Sequence, residues 1–389
     1  MSHTLSARRL ITSTEIIELP TVTIDSNGLI SSIEPDSAPT SAETILTTTF
    51  FDIHTHGGAG HDVMEATPAV LDKISGFMAS HGVGHYLPTT VTAAVDKTLT
   101  SLEGIARTIE RASTSAWNPS QARPIGIHLE GPFISHAKRG VHPDDKILPP
   151  DIALFDRFQQ AASGHIRLIT IAPEIPGALD LIRHCSEQGI RVSIGHTNAT
   201  APEARAGIQA GARSATHTYN AMRALDHREP GVLGVVLDDN NLYAEIICDG
   251  VHVAPELVRL WLKAKGPERG ILVTDSMAAA GMPDGQYTLG TFAVEVSNGR
   301  AYAAGDLTQG KHTLAGSVLT LDRAVTNLQR FTGASIETAS RLASRNPAAM
   351  LGFDPAFGNL AVGCPANLNI FSAAGERTTT LFYGKTVSW

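Results

Sequence analysis

The segment FFDIHTH at residues 50–56 begins the part of the chain that decides the fold. It joins a short apolar run to polar residues, and the same arrangement recurs seven more times up to residue 274. Runs that are apolar almost throughout, rather than alternating, are typical of strands buried on both faces of a parallel sheet. The eight runs occupy residues 51–54, 85–88, 125–129, 166–172, 192–196, 214–217, 244–248 and 271–274.

Helix signals separate the runs. Thr67 and Pro68 are typical of an N-cap and a first helical position, and Gly82 predicts where this helix ends. Thr200 before Pro202 predicts another helix start. Eight buried strands separated by helices predict an α/β fold, a (β/α)8 TIM-like barrel. A doubly wound open sheet is the alternative, but no GxGxxG motif follows any of the runs.

The two ends of the chain have short strand-like patterns instead. Residues 21–24 and 29–33 flank a Ser-Asn-Gly turn, which predicts a hairpin, and residues 368–371 and 378–382 are strand-like near the other end. We therefore expect both termini to pair in one small domain. The predicted division is residues 1–50 and 353–389 for a small β-sandwich domain, and residues 51–352 for the barrel.

The segment between the eighth run and the tail has mixed patterns. Residues 287–303 alternate and predict a hairpin that turns at Asn298 and Gly299. Residues 316–331 and 335–351 have helical patterns.

The composition excludes several function classes. Of the 389 residues, 42% are apolar and 17% are charged, so the chain can bury a large core and is unlike a disordered polypeptide. Thirty basic residues stand against 38 acidic ones, and no basic block offers a binding site for nucleic acid. Three widely spaced cysteines exclude a disulfide scaffold. Without a signal peptide or a long apolar run, we expect a cytoplasmic protein that does not bind membranes.

Imidazole or carboxylate side chains stand at the ends of five runs. In a barrel of this kind the active site lies at the carboxyl ends of the strands, so these side chains converge at one mouth. His54 and His56 are two residues apart on one strand and can reach the same ion. In chain order, the run ends supply His54, His56, Glu130, His196, His217 and Asp275.

Imidazole and carboxylate ligands without a thiolate indicate a divalent cation. We expect one or two ions per subunit, with Zn²⁺ as the first choice and Fe, Mn, Ni or Co as alternatives. The two oxygens of Glu130 could bridge two ions, and Asp275 is a candidate general base for a metal-activated water. A histidine at a strand end is ordinarily a core or surface residue, but five coincidences at successive strand ends favour the metal site.

This order of ligands on a barrel resembles the amidohydrolase superfamily, and the local strings are similar to those of N-acetylglucosamine-6-phosphate deacetylases. The resemblance covers about residues 22–371. The strings that carry it are DIHTHGGAGHDVM (52–64), HLEGPFISHAKRGVHP (128–143), GHTNA (195–199), THTYNAM (216–222), REPG (228–231), CDGVHV (248–253), VTDSMAAAG (273–281) and TLAGSVLTLDRAVTN (313–327).

The resemblance implies hydrolysis of N-acetylglucosamine 6-phosphate to glucosamine 6-phosphate and acetate, with a metal-activated water as the nucleophile. Asp275 would take a proton from this water and return it to the leaving amine, and His142 would help to stabilise the oxyanion. The implied ligands are Glu130, His196 and His217 for the better-occupied ion, and His54, His56, Glu130 and Asp275 for a second ion.

A phosphorylated substrate requires a cation on the protein. Arg228 is the candidate because a guanidinium presents a fork to phosphate, and an ordinary surface salt bridge is its other interpretation. The resemblance implies that this arginine comes from the neighbouring subunit of a homodimer. The other implied substrate contacts are Val141, His142, Asn220, Ala221, Asp249, His252, Leu314, Ala315 and Gly316.

Two other functions are compatible with these residues. A related amidohydrolase could act on another N-acetylated amino sugar phosphate or on an N-acyl amino acid, although an unphosphorylated substrate gives no reason for both Arg228 and His252. A non-catalytic regulator that binds sugar phosphates would not need Asp275, because binding alone requires no proton shuttle.

Overall fold

The computed structural model describes residues 2–354 and 357–387. Its largest sheet is a barrel of parallel strands, named β1 to β8 in chain order. Each of the eight apolar runs overlaps one of them, so the predicted barrel is confirmed. The strands are Phe50–Thr55, Val83–Thr90, Ile127–Glu130, Ile166–Ile171, Arg191–Ile194, Ser214–Ala215, Tyr243–Ile247 and Gly270–Val273.

Parallel ladders join neighbouring strands from β1 to β8, and a short strand, Arg123–Pro124, extends the pairing of β2. Polar groups connect β8 back to β1. The backbone N–H of Asp275 donates to the carbonyl of His54 at 2.9 Å. The hydroxyl of Thr274 donates to the buried carboxylate of Asp52 at 2.6 Å. These bonds bring His54 and Asp275 side by side at one rim.

Helices surround the barrel and are named α1 to α10 in chain order. As predicted, Thr67 caps α1 with Pro68 at its first position and Thr200 precedes α5, where the structure adds a capping box with Glu203. No helix in the described ranges is long and apolar enough to cross a membrane. The helices are Pro68–Ser80, Val95–Ala112, Ile152–Ala161, Ala178–Glu187, Ala201–Ala210, Gly231–Asp238, Pro255–Arg269, Leu321–Thr332, Ile336–Ala343 and Arg345–Leu351.

The helices after the barrel differ from the prediction in two places. Helix α8 begins at Leu321 and not at residue 316, because residues before it are extended along the barrel rim, where the N–H of Ser317 donates to the carbonyl of Asp275 at 2.7 Å. The second predicted helix, 335–351, is divided into α9 and α10 at Ser344, whose backbone is not helical.

A small antiparallel sheet follows β8 and covers part of the barrel mouth. Its strands are Gly285–Leu289, Phe292–Ser297 and Arg300–Ala303, so the predicted hairpin has the expected turn but also a third strand. Buried side chains on this sheet, including Leu289 and Val294, share a cluster with Ala315.

Two further sheets form the predicted β-sandwich from both chain termini. Leu46 and Leu368 of the six-stranded sheet and Val22 of the three-stranded sheet share one apolar core. The exact domain boundaries stay a prediction, and residues 1, 355, 356, 388 and 389 of the predicted domain lie outside the described residues. In spatial order, the sheets contain Lys385–Thr386, Arg377–Phe382, Leu368–Phe371, Ile45–Thr48, Arg9–Ile11 and Ile16–Glu18, and then His3–Ser6, Thr21–Ile24 and Ile30–Glu34.

Candidate metal centre and active site

A left-handed backbone turns three predicted site residues into the barrel mouth. His196, His217 and Asp275 each lie two positions after the last residue of a barrel strand, and their φ angles are 47°, 29° and 49°. Residues other than glycine adopt this conformation at a cost of about 1–3 kcal/mol each, and such residues cluster at functional sites. The surrounding structure must therefore stabilise these three turns.

The first group of predicted ligands gathers around Glu130, the last residue of β3. Its Oε1 atom lies 3.2 Å from Nε2 of His196 and 3.2 Å from Nε2 of His217. The two Nε2 atoms are 3.1 Å apart. All three side chains are buried. One small cation could contact all of these atoms.

The second group lies on the other side of Glu130. Nε2 of His56 is 3.1 Å from Oε2 of Glu130 and 3.1 Å from Oδ1 of Asp275. Nε2 of His54 is 3.4 Å from Oε1 of Glu130 and 3.5 Å from Oδ1 of Asp275. The structure therefore brings all six predicted ligands together at one place.

These residues fit a divalent cation. The ligand atoms of His54, His56 and Asp275 all lie within 4.8 Å of one another. Among the described residues, Nε2 of His54 and Oε1 of Glu130 are buried without a hydrogen-bond partner. A cation bound between them would coordinate both atoms. A set of imidazoles and carboxylates suits zinc and several other divalent metals.

The ligand atoms of Glu130, His142 and His196 also lie close together. This set differs by one residue from the predicted ligands Glu130, His196 and His217. His142 stands there in place of His217. However, Nε2 of His142 is 3.9 Å from Glu130, whereas Nε2 of His217 is 3.2 Å from it. His217 is therefore the better placed of the two to be a ligand.

The ionisable groups of the centre favour a bound positive charge. Burial alone would raise the pKa of Glu130, but the charge of His54 and the imidazoles of His196 and His217 beside the carboxylate hold it well below its usual range. Burial alone would lower the pKa of His56, but its hydrogen bonds to Asp275 and Glu130 raise it to about 9. Both shifts mean that the site attracts cations, and a divalent ion would take the place of these protons.

Hydrogen bonds to the second ring nitrogen orient the imidazoles. Nδ1 of His54 lies 3.1 Å from Oε2 of Glu245, and Nδ1 of His196 lies 2.9 Å from the carbonyl of Lys138. An Nδ1–H that donates to these acceptors leaves Nε2 free to bind metal. Sequence reasoning missed Glu245, whose signal is a lone carboxylate inside the apolar run of β7.

A cavity of about 380 Å³ opens over the ligands, and most of the predicted substrate contacts line it. Lys138 and His312 also line it, although the sequence analysis gave them no role there. The predicted contacts that line the cavity are Val141, His142, Asn220, Ala221, His252, Leu314 and Gly316.

The other three predicted contacts do not line this cavity. Asp249 lies behind His252, with Oδ2 2.7 Å from Nδ1 of that ring, and Ala315 is fully buried. Arg228 lies in an exposed loop, and among the described residues its guanidinium has no hydrogen-bond or ion-pair partner.

A parallel barrel whose strand ends gather histidines and carboxylates around one cavity defines a metal-dependent hydrolase class. The chain belongs to the amidohydrolase family, whose sequence model matches residues 45–387. The predicted resemblance is therefore confirmed.

Known relatives cover nearly the whole chain. It is 39% identical over 370 residues to N-acetylgalactosamine-6-phosphate deacetylase of Escherichia coli O157:H7, covering 95% of this chain and 94% of the relative. It is 37% identical over 385 residues to N-acetylglucosamine-6-phosphate deacetylase of Bacillus subtilis (strain 168), covering 96% and 94%.

A solved structure shares the fold over the same extent. It is a variant of N-acetyl-D-glucosamine-6-phosphate deacetylase from Mycobacterium smegmatis in complex with N-acetyl-D-glucosamine-6-phosphate. The two structures superpose with a TM-score of 0.89 at 33% identity, covering 99% of each chain.

Proposed function

We propose that this protein is a metal-dependent deacetylase that converts N-acetyl-D-glucosamine 6-phosphate and water to D-glucosamine 6-phosphate and acetate. The observation that carries the proposal is the convergence of six ligand side chains, among them the carboxylate of Asp275, beneath a cavity of suitable size. Relatives of this activity that match nearly the whole chain support it.

Two groups of ligands would hold the metal. Glu130, His196 and His217 form one group, and His54 and His56 complete a second with Asp275 and the shared Glu130. A divalent cation bound here lowers the pKa of a water and polarises a carbonyl. We propose Zn²⁺, and Fe, Mn, Ni or Co also suit these ligands.

Asp275 would act as the general base and then as the general acid. Burial alone would raise the pKa of its carboxyl group, but the charges of His54 and His56 hold it below its usual range, so the carboxylate is ionised at neutral pH. It lines the cavity and can accept the proton of the attacking water. It then returns this proton to the nitrogen of the leaving amine.

His142 would donate a hydrogen bond to the developing oxyanion. Burial and the charge of His196 lower the pKa of His142 well below its usual value, so the ring is neutral. We infer that the hydroxyl of Thr92, 2.7 Å away, donates to Nδ1. The proton of the ring is then on Nε2, which is the nitrogen toward Glu130 and the cavity.

Arg228 would bind the 6-phosphate of a substrate molecule that lies in the cavity of the neighbouring subunit of a homodimer. Two features of its loop support this assignment. The guanidinium has no partner among the described residues of its own chain, and Leu225 in the same loop is 53% exposed. A contact with a second subunit would bury this leucine and bring the arginine to the other cavity.

N-acetylgalactosamine 6-phosphate is the second candidate substrate, because the relative with 39% identity is a deacetylase of that sugar. The two substrates share the acetamide and the phosphate and differ in the configuration at one ring carbon. The cytoplasmic location stays a prediction.

Acetate release from purified protein tests the proposal. We expect turnover of N-acetylglucosamine 6-phosphate, little turnover of unphosphorylated N-acetylglucosamine, and loss of activity after treatment with a chelator that is reversed by Zn²⁺. N-acetylgalactosamine 6-phosphate and an N-acyl amino acid are assayed in parallel. Faster turnover of either would change the assigned substrate, and no turnover of any by metal-loaded protein would contradict the proposed activity.

A further inference from the structure

A buried carboxylate in β7 contacts two predicted metal ligands that belong to different groups. Glu245 is 0% exposed and points into the barrel. Its Oε2 atom lies 3.1 Å from Nδ1 of His54 and accepts a hydrogen bond from the backbone N–H of His217 at 3.2 Å. One oxygen atom therefore contacts both the backbone just after β6, at His217, and the His54 side chain of β1.

The charge of Glu245 is otherwise unbalanced. Its only ion-pair partner within 4.0 Å among the described residues is His54, and its Oε1 atom is buried without a hydrogen-bond partner there. Burying a carboxylate costs several kcal/mol unless it is paired. Ile247, which shares this face of the strand, is apolar and fully buried, so packing does not account for a carboxylate at position 245.

We propose that Glu245 is a positioning residue that fixes both groups of metal ligands. The Nδ1–H of His54 donates to the carboxylate, which leaves the lone pair of Nε2 directed at Glu130 and Asp275. The bond from the N–H of His217 stabilises the left-handed backbone, with φ of 29°, that turns this side chain toward the metal site. The inference rests on the proposed metal centre.

The role has a specific chemical requirement. Glutamine at position 245 preserves the volume, but its neutral amide oxygen is a weaker acceptor than a carboxylate oxygen, so the bonds from His54 and His217 should weaken. Its NH₂ group would also face Nδ1 of His54 in one of its two orientations and would then stabilise the wrong tautomer. Residues that orient a metal-binding histidine typically contribute 10–100-fold to metal affinity.

The experiment measures metal binding directly, without substrate. Wild-type protein, E245Q and E245A are stripped of metal, and the Zn²⁺ affinity and stoichiometry of each are determined by competition with a chromogenic chelator. We expect both variants to stay folded by circular dichroism and to bind Zn²⁺ about 10–100-fold more weakly. The visible spectrum of the Co²⁺-loaded protein should also change, because the ligand geometry changes.

A double-mutant cycle distinguishes positioning from a general loss of stability. If Glu245 acts through His54, E245Q in an H54N background should cause a smaller loss of affinity than E245Q alone. E337Q, which removes a carboxylate charge in α9 far along the chain, is the control for destabilisation and should leave Zn²⁺ affinity unchanged. Should E245A not fold, the isosteric E245Q decides the question.

Unchanged Zn²⁺ affinity in folded E245Q, or fully additive losses in the cycle, would overturn the inference. These outcomes are separate from failure of the proposed function. Wild-type protein that binds zinc but releases no acetate would contradict the deacetylase activity and leave the role of Glu245 intact.

Discussion

The hydroxyl of Thr92 lies 2.7 Å from Nδ1 of His142, whose side chain lines the cavity. Thr92 follows β2 and His142 lies in the loop after β3, so the contact joins two neighbouring loops of the barrel rim. A ring held at Nδ1 can present only Nε2 to a bound substrate. The pair therefore determines the direction of the proposed oxyanion donor.

Removing this donor should lower turnover. We expect His142→Ala to lower kcat on the order of 10²–10³-fold, the usual effect of losing one oxyanion donor. Thr92→Val should give a smaller loss of kcat with little change in KM, because the ring remains but its tautomer is no longer fixed. Steady-state kinetics on N-acetylglucosamine 6-phosphate measure both.

Thr90→Val is the matched control for Thr92→Val. Thr90 is the last residue of β2, two positions before Thr92, and its hydroxyl is buried without a partner among the described residues, so its removal should not affect kcat. Equal losses in the two valine variants would mean that the effect is one of packing and not of hydrogen bonding to His142.

Asp275→Asn should abolish most of the activity while the protein stays folded. An amide cannot accept the proton of the attacking water, and we expect a loss in kcat on the order of 10³ or more. Elemental analysis should still find the metal held by the Glu130 group. Asp238→Asn, at an exposed position in α6, is the control. Turnover near the wild-type rate in Asp275→Asn would assign the proton transfer to another residue.

Arg228→Ala should raise KM for the phosphorylated sugar and spare any activity on the free sugar. Arg107→Ala, which removes an exposed arginine from α2, should change neither. If each cavity receives Arg228 from its neighbour, mixing Arg228→Ala and Asp275→Asn subunits should restore activity. The mixed dimer then contains one site with both residues intact.

The experiment with mixed subunits can also contradict the role of Arg228 across the interface. Mixed subunits without recovered activity, in a preparation where mass spectrometry finds heterodimers, would mean that Arg228 does not act across an interface. A monomer in solution by analytical ultracentrifugation would have the same meaning.

Protonation of Asp322 should lower the free energy of unfolding at low pH. It accepts hydrogen bonds from Arg377 at 2.9 Å and contacts His81 at 3.2 Å, which connects α8 to the tail strand and to α1. Burial alone would raise the pKa of Asp322, but the hydrogen bond to His81 and the charges of His81 and Arg377 hold it well below its usual range. The folded state therefore gains stability above the unfolded pKa of about 3.9 and loses it as the pH falls toward the folded value.

Asp322→Asn should lower the free energy of unfolding at pH 7 by about 3 kcal/mol, because the mostly buried charge of Arg377 loses its ion-pair partner. The difference from wild type should shrink below pH 4. Denaturation at several pH values measures both effects. Asp180→Asn, which breaks an exposed pair with Arg183, should cost less than about 1 kcal/mol. A difference that stays constant with pH would contradict the assigned ionisation.

The barrel strands could be predicted because a strand buried on both faces must be apolar over its whole length. Polar residues at the ends of those runs then stand out, and this is how Glu130 and Asp275 were identified. The start of α8 was predicted too early because residues 316–320 are as compatible with a helix as with the extended rim segment. Their hydrogen bonds to residues near Asp275 decide between the two conformations.

The sequence by itself determined the fold class and the six candidate ligands, since apolar periodicity and residue type are local properties. The tertiary structure decided the rest. It brought Glu245 of β7 against His54 of β1, and Thr92 against His142, across separations of 191 and 50 positions. Such contacts depend on how strands close into a barrel and on the backbone turn at each strand end, and no local pattern in the chain encodes these distances.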